Sequence, residues 1–282
     1  MATHPQCRTL NPKSKLPIGI FDSGIGGLTV VRQIHKVMPH EDLVYLGDTA
    51  RVPYGTKSPG TVVRFAREDT QFLLQVGVKA VVVACNTASA WALPDLEKEF
   101  GLPVFGVIQP GVQAALNRTR NQRVGIIGTS ATIRSQAYRK AILARSSQVK
   151  VYERACPLLV PLVEEGWIQH SVTLSVLHEY LEPLLRHDVD TLVLGCTHYP
   201  LLKRAIRSVV GKNVTLIDSA QTCARYVRGQ LADAGLLNRR RRPGWIQPHV
   251  TDEAERFNEI AGRFLPAPMA PARKVDLPNL PR

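Results

Sequence analysis

The sequence predicts an α/β protein of two pseudo-symmetric domains, each a mostly parallel sheet flanked by helices, with the active site in the cleft between them. Two observations carry this. Short, charge-free runs of branched apolar residues alternate with longer segments of mixed polarity along most of the 282 residues, as expected of parallel strands buried on both faces and joined by covering helices. The pattern also occurs twice. Ile18-Gly19-Ile20-Phe21-Asp22-Ser23 matches Val124-Gly125-Ile126-Ile127-Gly128-Thr129 at a separation of 106 residues, and Val81-Val82-Val83-Ala84-Cys85-Asn86-Thr87 matches Leu192-Val193-Leu194-Gly195-Cys196-Thr197-His198 at 111. Two matches in the same order at nearly the same separation describe a duplicated unit, too diverged to be a solenoid repeat.

In chain order, the apolar runs at 18–21, 43–46, 80–84 and 104–107 give the strands of the first half, and those at 124–127, 149–152, 191–194 and 214–217 the strands of the second. Helices are expected at 27–37, 61–76, 88–100, 133–143, 172–186, 201–209 and 220–234, with a last one at 252–264. The first domain is then 17–108 plus 218–264 and the second 109–217. Residues 1–16 are expected to be a disordered extension, and 265–282, with Pro266, Pro268, Pro271, Pro278 and Pro281, a disordered tail. Ligands of open α/β sheets bind beyond the carboxyl ends of the strands. Two related halves facing each other set those ends on opposite walls of one cleft.

The formal net charge of +13 invites a nucleic-acid partner. Its excess, however, is concentrated at Arg8, Lys13 and Lys15, in the run Arg239, Arg240, Arg241 and Arg242, and at Arg273, Lys274 and Arg282. No aromatic residues are interleaved for base stacking, so a solvated basic loop between basic ends is favoured over a nucleic-acid site. No apolar run approaches the roughly 20 residues of a membrane helix, and the polar start lacks the apolar core of a secretory signal, so a cytoplasmic protein without a membrane partner is expected. The five cysteines, Cys7, Cys85, Cys156, Cys196 and Cys223, are an odd number without C-x-x-C spacing. Reduced thiols are expected, rather than a disulfide framework or a metal site.

Two of these thiols stand out. Cys85 ends a strand and leads into a helix, where free N–H groups and the helix dipole are expected to lower its pKa. Cys196 repeats the arrangement, with Pro200 suited to a first helical turn. One such cysteine alone is as readily a small buried hydrophobe as a reactive group; a pair at equivalent positions of a duplicated fold points to function. Thiols on opposite walls suit removal of a proton from one face of a carbon and delivery of another to the opposite face, which is racemisation or epimerisation. The glycine-rich turn Asp22-Ser23-Gly24-Ile25-Gly26-Gly27 offers backbone donors to an anion, or is a plain turn; it matches neither the dinucleotide nor the Walker pattern. The loop 47–55 holds ligands or merely turns. Glu164, Glu165 and His198 are proton-transfer assistants or, equally, surface and capping residues. Neither Lys79 nor Lys203 lies in a phosphate-binding setting, so no pyridoxal phosphate or other cofactor is expected.

The motifs Ile20-Phe21-Asp22-Ser23-Gly24-Ile25-Gly26-Gly27-Leu28, Gly47-Asp48-Thr49-Ala50-Arg51-Val52-Pro53-Tyr54-Gly55, Ala84-Cys85-Asn86-Thr87-Ala88-Ser89 and Gly195-Cys196-Thr197-His198-Tyr199-Pro200 together resemble the bacterial glutamate racemases, across about residues 17–264. The wider family includes aspartate racemases and related isomerases. The resemblance implies cofactor-free interconversion of L- and D-glutamate for peptidoglycan, with Cys85 and Cys196 as the acid/base pair. It implies that Asp22, Ser23, Tyr54, Gly55, Asn86, Thr87, Thr197 and His198 surround the substrate, that Asp22 and His198 tune the thiols, and that Glu164 matches a family acid. A homodimer is the expected assembly, although no residue pattern encodes it. The alternatives are a racemase or isomerase for another acidic substrate such as aspartate, or a catalytically silent carboxylate-binding module. The N-terminal extension, the run 239–242 and the proline-rich tail stand outside the resemblance.

Overall fold

Uninterrupted apolar strands with helices on both sides require a parallel sheet, and the chain builds two. The computed structural model describes residues 11–266 and 268–278. In the first half β1 (Ile18–Asp22), β2 (Leu43–Gly47), β3 (Ala80–Val83) and β4 (Val104–Gly106) alternate with α1 (Leu28–Val37), α2 (Pro59–Val76), α3 (Asn86–Trp91) and α4 (Leu93–Glu99). α5 (Ile108–Arg118) leads into β5 (Arg123–Gly128), α6 (Ser130–Ser135), α7 (Ala137–Leu143), β6 (Lys150–Ala155), α8 (Leu159–Glu164), α9 (Ser171–Leu185), β7 (Thr191–Gly195), α10 (Lys203–Val210) and β8 (Thr215–Asp218). The chain then runs through α11 (Ser219–Asp233), β9 (Ile246–Val250), α12 (Ala254–Phe264) and β10 (Arg273–Lys274). The sheets have the orders β10-β9-β2-β1-β3-β4 and β6-β5-β7-β8, with every pairing parallel.

The order 2-1-3-4 in the first sheet recurs as 6-5-7-8 in the second. Register agrees residue by residue. Ile18 lies opposite Ala80 and Phe21 opposite Val83, while Val124 lies opposite Thr191 and Ile127 opposite Leu194. The sequence separations of 106 and 111 carry the first set of pairs onto the second. A one-residue slip would turn every side chain to the other face of its sheet, so the agreement fixes which residues of the halves are equivalent. α11 packs against both α1 and α5, joining the two halves.

Several elements depart from the sequence expectation. The tail expected to be disordered contributes β10, which pairs with β9, and β9 itself pairs with β2. β9 reads Ile-Gln-Pro-His-Val with alternating burial, so no continuous apolar run marks it. In the N-terminal extension, Pro12–Lys15 forms a 3-10 turn in which Ser14 is buried and its carbonyl accepts from Lys79 Nζ at 2.9 Å; residues 1–10, with Cys7, lie outside the described residues. The single helix expected at 88–100 is two, α3 and α4, with Pro94 in the first turn of the second. α5 and α8 were not expected, each carrying a proline inside a short apolar stretch. β6 carries Lys150, Glu153 and Arg154 because it is an edge strand, where charges discourage further pairing. In the arginine run, Arg240 is no solvated residue: its guanidinium meets both Asp42 oxygens at 2.6 and 2.5 Å and its Nε donates to the His40 carbonyl at 2.7 Å. Among the described residues no helix is long and apolar enough to cross a membrane.

Candidate active site

Both sheets aim their carboxyl ends at the same cleft. Cys85 follows β3 in extended conformation and caps α3, so that the Ala88 N–H points at its sulfur, N to Sγ 3.4 Å. On its other side Sγ lies 3.7 Å from Ser23 Oγ, just beyond β1. Cys196 directly follows β7, and its Sγ lies 3.8 Å from His198 Nδ1. Both cysteines are buried, and both line one small cavity of about 40 Å³ together with Ser23, Asn86, Thr87, Thr129, Thr197 and His198. A larger depression of about 350 Å³, shared with Ser23, Gly55, Thr129 and His198, opens from it past Val52, Pro161 and Glu164.

The groups beside the two thiols differ. Asp22 ends β1, fully buried; its Oδ2 accepts from the Gly24 and Gly27 amides at 3.2 and 3.0 Å, and its Oδ1 accepts from Thr197 Oγ1 of the other half at 3.4 Å. Burial outweighs these donors and the His198 charge, so the carboxyl is pushed up to about 6. Burial also pushes the Cys85 thiol up, to about 12; the Asp22 charge raises it further, while the Ala88 and Ser23 contacts pull the other way. This corrects the expectation of a depressed pKa: the helix end is present, but desolvation is the larger effect. On the Cys196 side His198 Nε2 meets Glu164 Oε1 at 2.9 Å. Burial alone would lower the imidazole, yet its hydrogen bonds to the Cys196 sulfur and to Glu164 hold it up at about 10. Glu164 in turn is held below its usual value: burial raises it, but its hydrogen bond and charge interaction with His198, together with Arg256, outweigh that.

Backbone and loops complete the walls. A Cβ at Gly26 would overlap Thr197 Oγ1 and His198 Nδ1, so only glycine allows this turn to touch the opposite half. Gly55 similarly lies against Thr129, where a Cβ would come within 2.8 Å of the threonine Cβ. Thr87 Oγ1 joins Thr129 Oγ1 and Thr132 Oγ1 across the cleft at 2.9 and 3.1 Å. Tyr54 borders the cavity, but its hydroxyl is engaged elsewhere, donating between Asp48 Oδ2 at 2.5 Å and Asp69 Oδ2 at 3.0 Å. Arg51 bridges Asp48 at 2.6 Å, Asp69 at 3.2 Å and Glu68, which clamps the loop to α2. Burial, then the neighbouring Asp48 charge, pushes Asp69 well above the carboxylate range.

The structure thus gathers Asp22, Ser23, Tyr54, Gly55, Asn86, Thr87, Thr197, His198, Glu164 and both cysteines around one space. Glu165 stands outside it, with Arg256 4.0 Å away. Thr129, Val160 and the Arg51 clamp escaped the sequence reading. For Thr129 a signal existed, since the duplication aligns it with Ser23; the other two depend on tertiary contacts alone. Lys79 is buried in an ion pair with Glu41, and Lys203 pairs with Asp218 at 2.5 Å. Among the described residues no group of three or more His, Cys, Asp or Glu side chains could hold a metal ion.

The family model described as Asp/Glu/Hydantoin racemase matches residues 27–227. A glutamate racemase of Geobacter metallireducens is 50% identical over 260 residues, covering 92% of this chain and 96% of that one. Among solved structures, a glutamate racemase isoform of Bacillus anthracis superposes with a TM-score of 0.90 at 39% identity, covering 93% of this chain and 98% of that one. A Francisella tularensis glutamate racemase in complex with D-glutamate gives a TM-score of 0.87 at 38% identity, with the same coverage of 93% and 98%.

Proposed function

The chain belongs to the Asp/Glu/Hydantoin racemase family, and we propose that it racemises glutamate without a cofactor, Cys85 and Cys196 exchanging protons with opposite faces of the α-carbon. The observation that carries this reading is the cavity lined by two buried thiols from equivalent strand ends of a duplicated fold. In one direction a thiolate takes the α-proton, becoming a thiol and leaving the electron pair on Cα; the opposite thiol then gives its proton to the other face and becomes a thiolate. In the other direction the roles exchange.

The two sides differ in the form they favour. An imidazolium at His198, braced by Glu164, stands beside the Cys196 sulfur and favours a negative charge there. The Cys85 thiol, with its pKa at about 12, holds its proton. The Cys85 side therefore offers a proton, and a charged imidazole stands beside the Cys196 sulfur. Charge developing on the substrate's α-carboxylate falls to hydrogen-bond donors, and Asn86, Thr87 and Thr197 are the candidates. A cavity of about 40 Å³ takes about three water-sized spheres, less than an amino acid fills, so the halves must part to admit substrate through the depression beside Glu164 and close again around it. Glutamate is the small-molecule partner; a homodimer, a cytoplasmic location and supply of D-glutamate to peptidoglycan complete the reading.

The test is circular dichroism of L-glutamate with purified protein and no added cofactor. The ellipticity should decay to zero, and Cys85→Ala and Cys196→Ala should each abolish the decay. Turnover of L-aspartate in place of L-glutamate would overturn the substrate assignment, and full activity in either alanine variant would overturn the mechanism.

A further inference from the structure

Tyr138 touches both thiol-bearing segments although it belongs to neither. It lies on α7 of the second half and is buried. Its hydroxyl reaches across the cleft to Asn86 Oδ1 at 2.7 Å, on the residue that follows Cys85. Its ring packs on the backbone of Gly195, the residue before Cys196, where a Cβ would stand 3.3 Å from Tyr138 Cε2. Asn86 lines the cavity. It is 2% exposed, and its Nδ2 has no hydrogen-bond partner among the described residues. A buried amide donor left unpaired is costly unless something arrives to use it.

We propose that Tyr138 is a positioning residue that orients the Asn86 amide, its hydroxyl engaging Oδ1 so that Nδ2 is presented to a carboxylate of the substrate. The inference rests on the reading of the cavity as a glutamate racemase site. An asparagine side chain has two orientations nearly equal in shape, and its bonding partners decide between them. With the phenol donating to Oδ1, the N–H group faces the ligand; with the amide reversed, Oδ1 would face it and repel a carboxylate. Burial pushes the Tyr138 hydroxyl well above its ordinary value, so it remains a donor throughout the working range. Because the bond spans the two halves, it forms only when they are together. Closure of the cleft and preparation of the anion donor are therefore one event, and a carboxylate that engages Nδ2 favours the closed arrangement.

The experiment compares KM and kcat for L-glutamate in the unaltered protein, Tyr138→Phe, Asn86→Ala and the double variant, with thermal unfolding of each. Tyr138→Phe should raise KM about tenfold and leave kcat within about twofold, the signature of lost binding common to ground and transition states. In the Asn86→Ala background the same change should move KM less than about twofold, since the group it positions is gone. An unchanged KM in Tyr138→Phe, or effects that simply multiply in the double variant, would overturn the inference and leave Tyr138 as packing. Asn86→Asp tests the orientation without disturbing Tyr138, and matters most if Tyr138→Phe folds poorly. It should raise KM at least about tenfold through repulsion of the substrate carboxylate, whereas an unaltered KM would show that Nδ2 does not face the substrate. If the unaltered protein does not turn over glutamate, the racemase reading fails first and this inference with it, which is visible before any variant is compared.

Discussion

Replacing Asp22 by Asn should make the protein more stable and less active at once. Asp22 is fully buried, and its carboxyl is raised from 3.8 to about 6 chiefly by that burial. The folded state therefore holds this proton more tightly than the unfolded chain does, and stability falls as pH rises between about 4 and 6. Above that window the ionised carboxylate costs about 3 kcal/mol, from roughly two pH units at 1.36 kcal/mol each. Asn matches the geometry of the uncharged form: its oxygen accepts from Gly24 and Gly27 as Oδ2 now does, and its NH2 faces Thr197 Oγ1 where Oδ1 now lies. The variant should gain up to about 3 kcal/mol at pH 8, or roughly 6 °C in Tm, and only about 0.6 kcal/mol at pH 4. Urea titrations of both proteins at the two pH values measure the difference, in which titrating groups not coupled to Asp22 cancel. A gain equal at both pH values, or no gain at pH 8, would refute the account of Asp22 as a charge held in the site against its own desolvation.

Glu164→Gln removes the carboxylate that helps keep His198 charged. Burial then weighs more heavily, and the alkaline limb of kcat/KM in the direction that uses Cys196 as base should move down by about one pH unit, a modest figure because Glu164 is partly exposed. The stability that His198 contributes through its charged form is fully present below about 6.5 and lost as pH rises through about 10, so Glu164→Gln should destabilise at pH 6 and matter little above that range, as thermal unfolding will show. Gly26→Ala would force Thr197 and His198 away from the opposite wall; kcat/KM should fall about a hundredfold, with a far smaller proportional change in unfolding free energy.

How much of this was legible depended on whether a residue's role was set locally. The strands bearing the thiols could be read because Val81 to Ala84 and Leu192 to Gly195 are apolar throughout, and because the repeat ties their registers together. β9 could not be read, since its half-exposed Gln247 and His249 and its Pro248 leave no run to recognise. The Cys85 thiol shows the limit most directly. Its helix cap is written in the residues that follow, but the desolvation that pushes it up to about 12 comes from the whole cleft, the Asp22 charge included. Tyr138 and the Arg51 clamp likewise acquire meaning only when chain segments 52 and 18 residues apart come together.

The duplication explains why the site is symmetric in its thiols and asymmetric around them. L- and D-glutamate differ only in which side of Cα carries the hydrogen, so proton transfer needs equivalent groups on opposite walls, and Cys85 and Cys196 occupy equivalent strand ends. The carboxylates and ammonium need a single set of partners, which a strictly repeated site would duplicate without use. The halves diverged there: Asn86 corresponds to Thr197, Thr87 to His198 and Ser23 to Thr129. The divergence also gives the two sulfurs different neighbours. A carboxyl stands near Cys85 and an imidazolium beside Cys196, so under the proposed mechanism the two thiols would meet the substrate from unlike surroundings. Under the proposed mechanism each turnover would exchange which sulfur carries the proton, leaving the protein ready for the enantiomer it has just formed.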